Sequence, residues 1–185
     1  MNYLRFLIIG SLVLALFSCG TKSHKITKSE IISSIDTLEY QVYKAVKKPM
    51  DNRAAKRLIT SYITYATTYP KDTMAVKYWF KAAQSQVDLG NSLGAIKSLD
   101  SLVVNYPNSK IAPSAWQFMA FIYDDRLGNI NMARACLDSL IYKYPNNKLV
   151  NNAKAYKQTL GKSPEEIILE MENKVKNNKD KASKE

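Results

Sequence analysis

Few residues in this chain are of the types that carry out chemistry, and their spacing does not bring them together. The sequence contains one histidine, His24, and two cysteines, Cys19 and Cys136. A metal site needs several ligands at suitable spacing and a nucleophile needs a neighbouring base, so the sequence predicts neither. Asp124 and Asp125 are adjacent, but successive residues on a helix point about 100° apart and do not face each other. We therefore expect no enzymatic activity, no metal and no cofactor, and a structural role for Cys136.

The N-terminus has the order of segments that directs a protein for export. A short positively charged segment ending at Arg5 precedes an apolar run over residues 6–17. At 1.5 Å per residue this run spans about 18 Å, well short of the roughly 30 Å hydrocarbon core of a membrane. It therefore predicts a signal peptide rather than a transmembrane helix. The Leu-Phe-Ser-Cys sequence that ends at Cys19 resembles the lipobox of bacterial lipoproteins.

The lipobox resemblance implies that a lipid is attached to Cys19 and that the chain is cut before it. Residues 1–18 are then a lipoprotein signal peptide, and the polar residues 19–29 form a lipid-anchored tether. Because Gly20 rather than an aspartate follows the cysteine, the resemblance favours the outer membrane, with the protein facing the periplasm. An ordinary secretory signal, with Cys19 incidental, is the alternative.

The charge of the chain is strongly positive, with 27 lysines and arginines against 16 acidic residues and a net charge of +11. This balance favours an acidic partner or an anionic lipid surface, and a set of solvated lysines is the alternative. Lysines dominate residues 173–185, which we predict to be a basic, disordered tail. Nucleic acid is not an expected partner of an exported chain.

The dipeptide Tyr-Pro occurs three times, ending at Pro70, Pro107 and Pro145, at intervals of 37 and 38 residues. A fixed period of this size is typical of a solenoid built from stacked supersecondary units. Counting back from each proline aligns apolar or aromatic residues at helical spacing in all three segments. The aligned sets are Leu58, Ala95 and Ala133; Tyr62, Leu99 and Leu137; Tyr65, Leu102 and Leu140; Ala66, Val103 and Ile141; and Tyr69, Tyr106 and Tyr144.

Turn and capping residues divide each unit into two helices. Gly90 and Gly128 stand where a helix end requires a positive φ. The residue two after each proline is Asp72, Ser109 or Asn147, each able to accept hydrogen bonds from the free N–H groups that begin a helix. Each unit is therefore predicted to be a helix, a glycine turn, a second helix and a proline stop, within a domain over residues 30–172.

These units resemble the tetratricopeptide repeat. The signature spacings are occupied by Trp79, Ala82, Ala83, Ala95, Leu99 and Pro107, and then by Trp116, Met119, Ala120, Tyr123, Ala133, Leu137 and Pro145. The resemblance implies an all-α solenoid of helical hairpins with about three to four repeats. Gln86 replaces an expected aromatic residue, and one extra residue before Gly128 predicts a bulge or a longer helix. A capping box beginning at Ser163 predicts a C-terminal capping helix.

In tetratricopeptide arrays the first helices line a concave groove that binds peptides, and the resemblance implies which residues face it here. They are Lys77, Phe80 and Gln84 in one unit, and Ser114, Gln117 and Phe121 in the next. Two phenylalanines among polar groups suit an extended or helical peptide. The alternative is that Phe80 and Phe121 simply pack on the adjacent helices.

The combination of a lipobox, a short tether and these repeats resembles the BamD family, the lipoprotein component of the outer-membrane β-barrel assembly machinery. That resemblance, over roughly residues 54–160, implies a non-catalytic scaffold that binds envelope proteins. Two alternatives remain open at this point. One is a coordinator of cell-wall or division machinery similar to the periplasmic repeat protein of the Tol-Pal system, and the other is a lipid-surface or transport accessory that uses the basic tail.

Overall fold

The structure is a computed structural model that describes residues 26–44 and 51–182. The predicted signal peptide, Cys19, His24 and most of the predicted tether lie outside these ranges. The described residues form eight α-helices and no strand. The helices are α1 (Lys28–Glu39), α2 (Asn52–Thr68), α3 (Thr73–Asp88), α4 (Ser92–Asn105), α5 (Ala112–Phe121), α6 (Ile130–Lys143), α7 (Val150–Thr159) and α8 (Pro164–Ala182). Two π-helical turns, Tyr40–Lys44 and Ile122–Arg126, continue α1 and α5.

Each helix from α1 to α6 packs against the next one along the chain, so consecutive hairpins stack into the predicted all-α solenoid. The core consists of the aligned apolar positions, because those residues repeat on one face of each second helix. Leu58, Leu99 and Leu137 have no exposed surface at all. Burial of such side chains is the main stabilising contribution, at about 1.5–3 kcal/mol for each large one.

The Tyr-Pro dipeptides form the same junction three times. The backbone N–H of each tyrosine continues its helix, and its carbonyl accepts a hydrogen bond from the capping residue three positions later, at 2.9–3.0 Å. The tyrosine hydroxyl then reaches the preceding unit. Tyr106 donates to the Pro70 carbonyl at 2.8 Å, and Tyr144 donates to the Pro107 carbonyl at 2.7 Å. The period therefore links neighbouring repeats as well as ending helices, a role that the alignment did not predict.

The predicted capping residues accept the expected hydrogen bonds. The side chains of Asp72, Ser109 and Asn147 each accept a bond from the backbone N–H two residues later, at 2.7–3.1 Å. Only Asp72 directly precedes a regular α-helix, whereas α5 and α7 begin after an additional tight turn. At the start of the domain, Thr27 caps α1 from Lys28, so the helix begins inside the predicted tether.

Both glycine turns have the predicted conformation, with φ of 72° at Gly90 and 60° at Gly128. The extra residue before Gly128 is accommodated by the π-helical turn Ile122–Arg126. The expected bulge is therefore confirmed, because a π turn inserts one residue without ending the helix.

The C-terminal helix is present and carries the predicted capping box. The Ser163 hydroxyl accepts a bond from the Glu166 N–H at 3.2 Å, and the Glu166 carboxylate accepts one from the Ser163 N–H at 2.7 Å. The helix continues to Ala182, so residues 173–182 are helical rather than part of a disordered tail. Its apolar side chains do not cover the end of the solenoid, because Ile168, Met171 and Val175 remain exposed.

Candidate functional site

Five of the six predicted groove residues line one cavity between α3 and α5. The cavity has a volume of about 270 Å³. We call it the aromatic cleft and define it by its lining residues, Phe80, Gln84, Ser114, Gln117, Phe118 and Phe121. Lys77 is exposed on α3 but does not line the cleft, so the structure excludes it from this set.

The cleft residues are positioned by the packing of α3 and α5, the first helices of two adjacent hairpins. On α3, Trp79 and Ala83 are buried, and each precedes a cleft residue, Phe80 or Gln84. On α5, Ala120 is buried in the same way and precedes Phe121. Since neighbouring residues on a helix point about 100° apart, the buried positions hold the cleft residues at the edge of the interface.

The three phenylalanines form a continuous row. The ring centroids of Phe80 and Phe118 are 5.8 Å apart with planes at 46°, and those of Phe118 and Phe121 are 6.3 Å apart with planes at 16°. Phe80 and Phe118 are half-buried and pack against the core, which supports the packing alternative for Phe80. Phe121 is 37% exposed and presents an apolar ring to solvent.

Sequence reasoning missed Phe118. Its counterpart in the preceding unit is Lys81, a charged residue, so the alignment gave no sign of an apolar position there. Lys81 instead donates to Glu39 on α1 at 2.7 Å, and its ammonium lies 5.8 Å from the ring centroid of Tyr62. The same position therefore contacts the preceding first helix in both units, by an ion pair in one and by ring packing in the other.

A second cavity of about 340 Å³ adjoins the aromatic cleft and shares Gln84 and Phe118 with it. Tyr43, Val87 and Asp88 complete its lining. The Tyr43 hydroxyl is hydrogen-bonded to Ser85 Oγ at 2.6 Å, which fixes the phenol above α3. The two cavities together extend the groove from α5 toward the π-helical turn after α1.

No charged residue lines the aromatic cleft, because its polar members are two amides and one hydroxyl. Elsewhere in the array, Tyr62 on α2 donates to Glu39 on α1 at 2.7 Å. Burial, reinforced by this hydrogen bond, raises the pKa of Tyr62, so its hydroxyl remains a donor over the ordinary pH range. The cleft can therefore hold an apolar side chain and offer hydrogen bonds around it.

The other residues considered for chemistry have structural environments. Asp124 accepts a hydrogen bond from the Tyr156 hydroxyl at 2.7 Å, and Asp125 forms an ion pair with Arg126 at 2.9 Å. Burial raises the pKa of the Cys136 thiol to about 11, so it is neutral and a poor nucleophile at neutral pH. Within residues 26–44 and 51–182 there is no group of three or more potential metal ligands.

The predicted packing residues divide into three classes. The buried class comprises Trp79, Ala83, Ala95, Ala120 and Ala133. Trp116 is half-buried, and the Lys143 ammonium lies 4.7 Å from its ring centroid. Pro107 and Pro145 are exposed, so they act through the backbone at the junctions rather than by packing.

Comparison with known proteins identifies the repeat type. A tetratricopeptide repeat family model matches residues 78–109 and 119–147, which include most of α3 with α4, and the end of α5 with α6. These two segments match the tetratricopeptide repeat, and the hairpins that contain them stack into an all-α solenoid of that type. A comparison with curated proteins found no match. No described helix is both long enough and apolar enough to cross a membrane.

Proposed function

Because two of the hairpins are tetratricopeptide repeats, we propose that this protein is a non-catalytic scaffold that binds segments of other proteins. The proposed location is the outer membrane, with a lipid anchor on Cys19 and the repeats facing the periplasm. The proposed partners are envelope proteins, and the proposed process is the assembly of outer-membrane β-barrels. The lipobox and the repeat pattern described above support these finer assignments.

The aromatic cleft is the observation that carries the scaffold proposal. Its volume of about 270 Å³ is below the roughly 300–1,000 Å³ of typical small-molecule pockets. A space of this size suits a single large apolar side chain of a bound segment. Gln84, Ser114 and Gln117 supply donors and acceptors for the backbone of that segment. An uncharged, aromatic position of a helical or extended peptide is therefore the expected anchor.

The test is in-cell cross-linking followed by mass spectrometry, with Phe121→Ser compared with Met132→Ser. The two side chains are similarly exposed, at 37% and 41%, but Met132 lies on α6 and does not line the cleft. We expect the unchanged protein and Met132→Ser to recover a barrel-insertion component. We expect Phe121→Ser to recover about tenfold less, since truncating an aromatic anchor commonly costs more than about 1 kcal/mol.

Equal recovery by all three proteins would overturn the cleft as the binding site. Recovery of unrelated proteins alone would overturn the assignment to barrel assembly while leaving the scaffold role intact. A Cys19→Ser variant in the same cells tests the anchor by membrane fractionation. The proposal expects it to leave the outer-membrane fraction, and retention there would contradict lipid attachment at this residue.

A further inference from the structure

Another cavity, lined by several positively charged residues, lies at the other end of the array, between α6, α7 and α8. It has a volume of about 660 Å³, and it shares no residue with the aromatic cleft. We call it the basic pocket. Its lining residues are Arg134, Asp138, Ile141, Lys154, Lys157, Gln158, Leu160, Lys162, Glu170 and Lys174.

The basic pocket has more cations than its acidic residues neutralise. Lys157 pairs with Asp138, and Lys162 pairs with Glu170 at 2.6 Å. The three remaining cations are Arg134, Lys154 and Lys174, and within the described part of the chain none of them forms an ion pair. Three positive charges around one cavity favour an anionic ligand such as a phosphate group.

An exposed apolar stripe lies on α8, the helix that also contributes Glu170 and Lys174 to this pocket. Ile168, Met171 and Val175 are 57%, 60% and 54% exposed, and their spacing of three and four places them on one face of α8. Glu170 and Lys174 point into the pocket from the same helix. At about 100° per residue, the stripe is centred roughly a third of a turn from these two side chains.

The glutamates near the start of α8 do not cancel this charge distribution. Glu166 caps Ser163, and Glu170 is held by Lys162. The hydrogen bond from Lys162 lowers the pKa of Glu170, so the Glu170 carboxylate stays ionised and paired with Lys162. The surface thus combines a positively charged cavity with an apolar stripe on the same helix.

We propose that this surface binds an anionic phospholipid, with the phosphate group in the basic pocket and an acyl chain along the apolar stripe. A free phosphate ion satisfies the cavity but leaves the stripe exposed. An apolar helix from a second copy covers the stripe but leaves the cations unpaired. A membrane lipid satisfies both, as amphipathic helices do at anionic bilayer surfaces. The proposal concerns a site separate from the aromatic cleft and does not depend on which protein binds there.

The test measures hydrogen exchange of the α8 amides in the full chain. The protein is reconstituted in nanodiscs of phosphatidylcholine alone or of phosphatidylcholine with phosphatidylglycerol. We expect slower exchange with phosphatidylglycerol, and we expect that protection to fall about fivefold for each cation removed in Arg134→Gln and Lys154→Gln. Lys97→Gln and Lys110→Gln, at exposed positions in other units, are the matched charge controls and should retain it.

Met171→Ser tests the contribution of the apolar stripe alone, because it leaves all the cations of the basic pocket in place. The proposal expects the α8 amides of this variant to lose their protection from exchange. Its side chain is exposed, so the fold should persist, and circular dichroism checks that it does. Equal protection in the two kinds of nanodisc would overturn the proposal. Protection by inorganic phosphate in phosphatidylcholine nanodiscs would also overturn it, because it would indicate a site for a free anion. Protection that rises with protein concentration would overturn it as well, because it would indicate binding of a second copy.

Discussion

The hairpin α3–α4 and the hairpin α5–α6 are two versions of one unit, and they differ in two places. Both have an alanine, a leucine and a second leucine buried at the same positions of their second helices. The later hairpin has one more residue in its first helix, and it lacks the polar contact that joins the two helices of the earlier one. The two hairpins therefore separate the features that are the same in both repeats from the features that vary between them.

The inserted residue leaves the turn unchanged. In the earlier hairpin the Asn91 N–H donates to the Gln86 carbonyl at 2.8 Å, and in the later one the Asn129 N–H donates to the Tyr123 carbonyl at 2.7 Å. Gln86 and Tyr123 are equivalent positions, although one more residue separates Tyr123 from its asparagine. The π-helical turn absorbs that residue, so the fixed feature is the closing hydrogen bond rather than the length of the helix.

The buried contacts between the helices differ in polarity. In the earlier hairpin the Gln86 amide contacts Ser98 Oγ at 2.7 Å, and its nitrogen can be oriented to donate to the Ala82 and Gly94 carbonyls at 3.1 Å. Tyr123 and Cys136 occupy the corresponding positions in the later hairpin. A polar pair and an aromatic–thiol pair therefore fill the same space between the two helices.

The largest expected effect comes from deleting one residue from the first helix of the earlier hairpin, compared with the same kind of deletion in the later one. Deleting Arg126 should convert the π turn to α-helix and cost less than about 1 kcal/mol, since the later hairpin then has the spacing of the earlier one. Deleting Asp88 should cost about 3 kcal/mol or more, because α3 has no surplus residue and its last turn would rotate by about 100°. Urea denaturation of both variants measures the difference.

These two deletions are matched because each removes an exposed charged residue just before a glycine turn. Equal losses of stability would show that the π turn is not the element that absorbs the insertion. Crystallography of the Arg126 deletion gives a second check, since the Asn129 to Tyr123 hydrogen bond should remain.

A smaller effect is expected from the polar pair. Ser98→Ala should destabilise the protein by about 1–3 kcal/mol, because Gln86 is buried and loses a partner. Adding Gln86→Leu should recover part of that loss, since replacing both partners with apolar groups removes the unpaired amide. The four proteins of this double-mutant cycle are compared by urea denaturation.

The later hairpin supplies the control for that cycle. Cys136→Ala removes the residue equivalent to Ser98 but leaves no buried amide behind, so it should show no rescue when combined with Tyr123→Leu. A double variant at Gln86 and Ser98 that is less stable than Ser98→Ala alone would contradict the assigned role of the pair.

Much of this fold could be predicted from the sequence because its determinants are local and periodic. Apolar spacing, Gly90 and Gly128 each specify a nearby backbone conformation, and these are confirmed. Of the three predicted capping residues, Asp72 caps a helix directly, whereas Ser109 and Asn147 cap the tight turns that precede α5 and α7. Five cleft residues could be placed through the repeat resemblance, because the repeat sets which side of the first helix faces the groove. Whether a partner binds there stays a prediction.

What the sequence left open depends on contacts between units. The Tyr144 hydroxyl reaches a carbonyl 37 residues earlier, and no pattern within one repeat indicates that bond. Phe118 was missed because the equivalent position in the preceding unit is Lys81. The capping box at Ser163 predicted a helix that caps the array, yet Met171 on α8 is exposed, because the motif shows where a helix begins and not what the helix covers.

The smallest expected effect tests the aromatic–thiol pair through pH. Burial raises the pKa of Cys136 from 9.0 to about 11 in the folded protein. A thiol whose pKa is higher when folded stabilises the fold fully below the unfolded pKa, and that contribution is lost as the pH rises through the folded pKa. The stability advantage over Cys136→Ala should therefore shrink between about pH 9 and pH 11.

Urea denaturation under reducing conditions measures this advantage, and subtracting the unfolding free energy of the Cys136→Ala variant at each pH removes the contribution of other titrating groups. A stability advantage that stays constant between these pH values would contradict a buried environment that disfavours the thiolate. Ser98, at the same position of the earlier hairpin, has an uncharged hydroxyl.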